Sequence, residues 1–178
     1  YIFRQLGITV YQRQLYRFAP KSVDSCFFTA SGDMLFSRAG EMSSQEEAQQ
    51  FITDNDVTFA VAFGPVMVDN GQLAEFGSYP IGENNRTYSR TAIGQRDKLH
   101  YILMTINYED DHSVAATVSE AAEYIFSKGV VKAYALDGGQ TSTMVMNGHT
   151  VNRPDWGNQR TQSDIIYFAT ALPEEVNP

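Results

Sequence analysis

With a single cysteine, Cys26, the chain can form no intrachain disulfide. Its context, "DSCFFTA", is apolar and strand-like, so a small buried packing residue is the expected role. Basic clusters are missing as well. Thirteen Lys and Arg stand against 21 Asp and Glu, the formal net charge is -8, and the basic residues are dispersed. Sequence-independent binding to DNA or RNA needs clustered cations to neutralise phosphates, so nucleic acid is excluded as the expected partner. A single phosphate held in a pocket is not. Apolar runs are all well short of the roughly 18 residues of a membrane span. There is no internal repeat, low-complexity tract or Pro/Gly/Ser linker, and residues 1–178 read as one domain. Position 1 is Tyr and the chain opens in mid-pattern, so the expectation is a trimmed or processed chain whose signal or anchor lies outside it.

What is present is an ordinary globular composition, 43% hydrophobic and 19% charged, in 178 residues, enough to bury a core. Residues 1–40 alternate apolar and polar side chains in short runs, which predicts a strand meander. "SSQEEAQQFI" reads as a helix, with Ser43 and Glu46 as a capping-box pair. "VTFAVAF" (57–63) has strand character, and Asn70-Gly71 signals a hairpin. After a loop rich in Gly, Asn and Arg (77–89), "RTAIGQRDKLHYILMTI" predicts two strands joined near Arg96 to Lys98. Thr117 and Glu120 form a second capping box. Val118, Ala121, Ala122, Ile125 and Phe126 give a helical apolar face, and Gly129 ends it. Strand, helix and the next strand, "VVKAYAL", have the spacing of a βαβ crossover, with both strands pointing the same way in one sheet. "SDIIYFAT" reads as a late strand. The fold class expected is α+β (mixed α/β), a mixed β-sheet core with at least two helices and one βαβ crossover.

The stretch "YALDGGQTSTMVMNG" (134–148) stands out. An apolar run ends in Asp137, glycines and hydroxyls follow, and a hairpin turn at Asn147-Gly148 comes next. Asp137 lies just past the carboxyl end of a buried strand, where ligands sit in open α/β sheets. Gly138 and Gly139 allow a sharp turn and a close approach to a ligand, and their N–H groups suit an anion nest; Thr141, Ser142 and Thr143 add hydroxyls. An ordinary turn would explain the same residues. A nucleotide-binding P-loop would not: Gly-Lys-Ser/Thr is absent and strand follows the glycines. His100, His112 and His149 lack metal-ligand spacing, "YEDDH" (108–112) suits solvated surface better than a calcium loop, and Ser142 lacks a nucleophile elbow. Arg90 and Arg160, with Arg153 an equal candidate, are the guanidinium groups suited to a phosphate or carboxylate.

"RTAIG" (90–94), "TVSEAAEYIFSKGVVKAYALDGGQTSTMVMNG" (117–148), "VNRP" (151–154) and "SDIIYF" following Arg160 resemble the phosphodiester glycosidase family, which has animal relatives of the uncovering-enzyme type. "FAVAFGPVMVDNG" (59–71) is similar to its Phe-Gly-Pro hairpin. Asp137 to Thr143 matches an Asp-Gly-Gly-Gly-Ser-Ser-Thr pattern, with Gln140 in place of the third Gly and Thr141 in place of the first Ser. Family members carry further upstream strands with an Asn-Gly motif absent here, so the single domain is expected to lack its N-terminal part.

The resemblance implies hydrolysis of a sugar-1-phosphodiester such as an N-acetylglucosamine-1-phosphodiester, in an exported protein of the cell envelope or extracellular space linked to exopolysaccharide. It implies Asp137, Arg90 and Arg160 as catalytic residues, the arginines as a phosphate clamp, and Thr91, Gly138, Gly139, Gln140, Thr141, Ser142, Thr143 and Asn152 as substrate-binding residues. The second acid of a glycosidase is open among Asp155, Asp164 and Glu75. No cofactor is required by the sequence, and a divalent cation is left open. The partner expected is a small-molecule or glycan phosphodiester. The competing readings are a non-catalytic glycan- or phosphate-binding module of an exported envelope protein, and a structural domain in which Asp137 caps a turn.

Overall fold

The computed structural model describes residues 5–81, 83–108 and 115–169. The chain runs β1 (Gly7–Tyr11), β2 (Gln14–Ala19), β3 (Ser25–Thr29), β4 (Met34–Ser37), α1 (Gln45–Asp54), β5 (Val57–Ala62), β6 (Val66–Asp69), β7 (Gln72–Leu73), β8 (Arg90–Asp97), β9 (His100–Ile106), α2 (Val118–Phe126), β10 (Lys132–Leu136), β11 (Val145–Met146) and β12 (His149–Thr150). Two five-stranded sheets form, in the orders β2-β1-β5-β3-β4 and β7-β6-β10-β8-β9, and β11 pairs with β12. Every pairing between named strands is antiparallel. Because β8 lies between β9 and β10 and is antiparallel to both, β9 and β10 run the same way. The α2 crossover joins them, as the spacing predicts.

Side-chain alternation along each strand sorts the core into layers. In β3, Phe27 packs with Ala48 and Ile52 of α1, while Cys26 and Phe28 turn to the opposite face. In β10, Ala133 and Ala135 pack with Ala121, Ala122 and Ile125 of α2, while Tyr134 turns away from them. Cys26, Phe28 and Met34 from one sheet then meet Val66, Ile93 and Tyr134 from the other. The order of layers is helix, sheet, sheet, helix, which is an α+β architecture. No helix of the described residues is long and apolar enough to cross a membrane.

Local signals account for the element ends. Thr117 caps α2, its hydroxyl accepting from the Glu120 N–H while the Glu120 carboxylate accepts from the Thr117 N–H. In α1 the cap lies one residue later than predicted. Ser44 accepts from the Glu47 N–H, and Ser43 instead donates to the Glu47 carboxylate. Two adjacent serines each face an acidic residue three positions on, so sequence alone does not choose the frame. Asn70 and Gly71 turn β6 into β7 with φ of 48° and 72°, the conformation a tight two-residue hairpin requires. The late strand predicted over "SDIIYFAT" does not form in its described part, residues 163–169. Ile166 reaches the inter-sheet core and Phe168 contacts the Tyr101 ring, but no neighbouring strand pairs with this segment. The carboxylates and histidine of "YEDDH" (109–112) lie outside the described residues.

A polar knot ties the sheets together beside the end of β10. The Tyr134 hydroxyl, fully enclosed, donates to the Asp24 carbonyl at 2.7 Å and accepts from the Phe63 N–H at 2.8 Å. The Asp24 carboxylate accepts from the N–H groups of Ala39 and Val66, and Tyr79 links the Asp24 N–H to the Phe63 carbonyl. Tyr134→Phe leaves both the Asp24 carbonyl and the Phe63 N–H without this hydroxyl. The expected destabilisation is about 1–3 kcal/mol for each group left unsatisfied. Denaturant unfolding should show a lower midpoint at an unchanged slope; a variant as stable as the parent would remove the knot from the account of sheet packing.

Candidate functional site

Asp137 is placed by the register of β10. Leu136 pairs with Thr91 of β8, the last match of that ladder, so the chain leaves the sheet at Asp137. Its Oδ1 accepts from the Gly138 N–H at 2.9 Å, turning the backbone at once. Gly138 then passes so close to β8 that a Cβ on it would stand 2.5 Å from the Ser89 carbonyl oxygen, which only glycine permits. The Gly139 N–H donates to that same oxygen, and Gly139 has a φ of 64°, in the region that favours glycine. A short 3-10 turn, Gly139–Thr141, follows. The Thr141 and Ser142 N–H groups donate to the carbonyls of Gly138 and Gly139.

These bonds correct one expectation. The N–H groups of Gly138, Gly139, Thr141 and Ser142 all have acceptors within the loop or on Ser89, so they do not form an anion nest. The glycines are needed for close backbone approach. Asn152 is likewise a support: its Nδ2 donates to the Ser142 carbonyl and its Oδ1 accepts from the Met144 N–H. Ser142, enclosed, donates to the Arg90 carbonyl.

The two arginines take different roles. Arg160 reaches the Asp137 carboxylate, Nη2 to Oδ2, at 2.6 Å, and both side chains keep access to solvent. Its own N–H donates to the Gln140 carbonyl, so the segment after Pro154 is stitched to the Asp137 loop. Arg90, only 7% exposed, donates to the main-chain carbonyls of Ala116, Glu83 and Arg86 and lies against the Tyr88 ring. The two-arginine clamp inferred from sequence is therefore revised, because the Arg90 fork is directed at peptide carbonyls that hold the 83–86 turn and residue 116 against β8. Arg160 is the guanidinium with a carboxylate and solvent in front of it. Arg153 is engaged through its main chain with Asn107 and Tyr108.

Burial pushes the Asp137 carboxyl above its ordinary value of 3.8, against the opposing pull of Arg160 and of the Gly138 N–H. Burial likewise lowers the Arg90 guanidinium, opposed by Asp155 and more weakly by Tyr88, Glu83 and Asp137.

The buried side-chain polar atoms without a hydrogen-bond partner among the described residues are Asn84 Oδ1 and Nδ2, Thr91 Oγ1, Thr143 Oγ1 and Asp155 Oδ2. Buried polar groups are almost always paired, and these are all on or beside the segments that build the Asp137 region. Asn84 and Thr91 help line a small cleft with Arg90, Gly64, Met67, Val118 and Leu136. Of the three candidates for a second acid, Asp155 is fully enclosed beside the loop, whereas Glu75 and Asp164 are exposed. Asn84 and Ser89 were not legible as site residues. Asn84 sits in a loop whose composition signals only turns, and the single hint for Ser89 is its place before Arg90. His100 and His149 are on the surface. Among the described residues no group of three or more His, Cys, Asp or Glu side chains could hold a metal ion.

The phosphodiester glycosidase family model matches residues 5–169. The SPbeta prophage-derived uncharacterized protein YomE of Bacillus subtilis (strain 168) is 23% identical over 164 residues, spanning 90% of this chain and 25% of that protein. Among solved structures, the chain is similar to the zebrafish N-acetylglucosamine-1-phosphodiester alpha-N-acetylglucosaminidase catalytic domain auto-inhibited by its pro-peptide. The TM-score is 0.65 at 18% identity, over 84% of this chain and 50% of the zebrafish one. The chain thus spans a quarter of the first relative and half of the second, and at that identity the structural likeness speaks for the fold.

Proposed function

The chain belongs to the phosphodiester glycosidase family, and on that premise we propose that it hydrolyses the bond between the anomeric carbon of a sugar and the phosphate of a sugar-1-phosphodiester, with Asp137 and Arg160 as the reacting pair. The observation that carries this reading is the Asp137–Arg160 contact of 2.6 Å at the end of β10, partly open to solvent. A carboxylate and a guanidinium so placed supply what the reaction needs. The leaving phosphate is anionic and departs without strong acid assistance, so a cation at the phosphate and an anion near the developing oxocarbenium centre carry much of the barrier.

An approaching phosphodiester competes with Asp137 for the Arg160 fork. As the guanidinium turns to the phosphate oxygens, the Asp137 carboxylate is released to face the anomeric carbon or the attacking water. Water adds to the anomeric carbon and gives up a proton, to the Asp137 carboxylate where that is the base and otherwise to solvent, while the carbon–oxygen bond to phosphate breaks and its electron pair leaves with the phosphomonoester. Thr91, Gln140 and Thr143 are the substrate contacts in this reading. Gly138, Gly139, Thr141, Ser142 and Asn152 hold the loop. The family likeness extends the reading to glycan phosphodiesters of an exported envelope or exopolysaccharide system, with an N-acetylglucosamine-1-phosphodiester as the first substrate to try.

The test is a hydrolysis screen of the protein against N-acetylglucosamine-1-phosphodiesters and other sugar-1-phosphodiesters, with and without a chelator. Release of free sugar and phosphomonoester is the expected outcome. Saturable binding with no product would replace the enzyme by a binding module.

A further inference from the structure

Asp155 carries chemistry that the proposed reaction does not use directly. It is 0% exposed, at the start of the short turn Asp155–Gly157, where Trp156 and Gly157 both have positive φ and Trp156 lies against the Tyr108 ring. Its Oδ1 accepts from both the Ser89 N–H at 2.9 Å and the Ser89 hydroxyl at 2.7 Å. The other face of Ser89 is its carbonyl, which receives the Gly139 N–H and against which Gly138 is pressed. Asp155 Oδ2 has no hydrogen-bond partner among the described residues and lies near Gly139, where a Cβ would stand 3.3 Å from it. One carboxylate thus holds Ser89, on whose carbonyl the Asp137 loop rests, and stands beside Gly139 of that loop.

Its charge also bears on Arg90. Asp155 and Asp137 both act on that buried guanidinium, with Tyr88 and Glu83, while Arg160 approaches Asp137 from the solvent side. We propose that Asp155 is a positioning residue for the Asp137 loop: through Ser89 it fixes where the loop leaves the sheet, and its charge balances Arg90 so that Arg160, not Arg90, governs the Asp137 carboxylate. The proposal rests on the assignment of Asp137 and Arg160 as the reacting pair. A carboxylate oxygen left unsatisfied in the interior is a cost to the fold, and residues kept at such a cost serve the site more than stability.

Asp155→Asn keeps the shape and the acceptor for Ser89 but removes the charge. Of the charges seen acting on Arg90 among the described residues the largest is then gone, its positive charge is left less opposed beside Asp137, and that carboxyl ionises more readily. The expected result on a sugar-1-phosphodiester is a kcat lowered about 10- to 100-fold with KM little changed. The acid limb of kcat/KM should move to lower pH, and the thermal midpoint should be unchanged or higher. Ser89→Ala, which removes one of the two bonds and leaves the charge, should lower kcat by less and leave the limb in place. A lower thermal midpoint with parental kcat, KM and pH profile would show Asp155 to be merely structural and overturn the proposal. If Asp155→Asn does not fold, parental kinetics in Ser89→Ala overturn it instead. Should the parent hydrolyse no member of the panel, the reaction assignment fails and Asp155 is read from the NMR titration of Asp137: a downward shift in Asp155→Asn supports the charge balance, and an unmoved midpoint overturns it.

Discussion

Asp137→Asn is expected to lower kcat for sugar-1-phosphodiester hydrolysis by at least about 10³-fold, with the fold intact. The size follows from what the side chain does under the proposed reaction. Electrostatic stabilisation of developing charge in a partly desolvated site is worth about 2.7–4 kcal/mol for one group, and loss of a nucleophile or water-activating base costs more. The substitution is otherwise mild. The amide oxygen of Asn still accepts from the Gly138 N–H, so the turn out of β10 is kept.

Stability gives a second readout with a definite sign. Burial raises the Asp137 carboxyl above 3.8 in the folded chain. A raised acid loses fold stability as pH climbs from its unfolded value through its folded one, and above that window the loss is complete. Asp137→Asn has no such loss. Its stability relative to the parent should therefore increase across that window and level off above it, as chemical denaturation at several pH values would measure. In the parent, kcat/KM should fall on the acid side with a midpoint above the ordinary carboxylate value. Undiminished turnover in the Asn variant would remove Asp137 from the mechanism.

The fold was readable where one local signal had no rival. The Thr117–Glu120 box, the Asn70-Gly71 hairpin and the β9–α2–β10 crossover each rest on short-range chemistry or on spacing that the tertiary structure has no reason to override. The two-sheet arrangement was not readable. Phe27 and Phe28 are adjacent and equally apolar, and only the packing assigns one to α1 and the other to the second sheet. "SDIIYFAT" shows the converse: an apolar run is necessary for a strand, but the hydrogen-bond ladder also needs a neighbour.

The site divides in the same way. Asp137 and the two glycines were visible because a carboxylate and permissive backbone at the end of a buried strand are unusual as a set. Arg90 was read as a ligand for phosphate because sequence reports the presence of a guanidinium and not its direction. The carbonyls of Glu83, Arg86 and Ala116 come from turns that no spacing rule brings together. Asp155 was one acid among three until burial separated it from Glu75 and Asp164.

Arg160→Gln should separate the two halves of the proposed mechanism. The guanidinium opposes the burial that raises Asp137, so without it the carboxyl moves further up and the acid limb of kcat/KM shifts to higher pH, the direction opposite to that expected for Asp155→Asn. The phosphate also loses its cation, and kcat/KM should fall about 10²- to 10³-fold. Inhibition by inorganic phosphate should weaken in parallel, because the same fork would hold it. Arg160→Lys keeps the charge and loses the planar fork, so it should recover part of the rate and return the acid limb towards the parental pH while phosphate inhibition stays weak. Under the proposed reaction Asp137 and Arg160, in contact at 2.6 Å, act as one unit, so the double variant Asp137→Asn with Arg160→Gln should be little worse than Asp137→Asn alone. Fully additive losses, with an unmoved acid limb in Arg160→Gln, would mean that the ion pair is surface decoration and that phosphate is met elsewhere on the molecule.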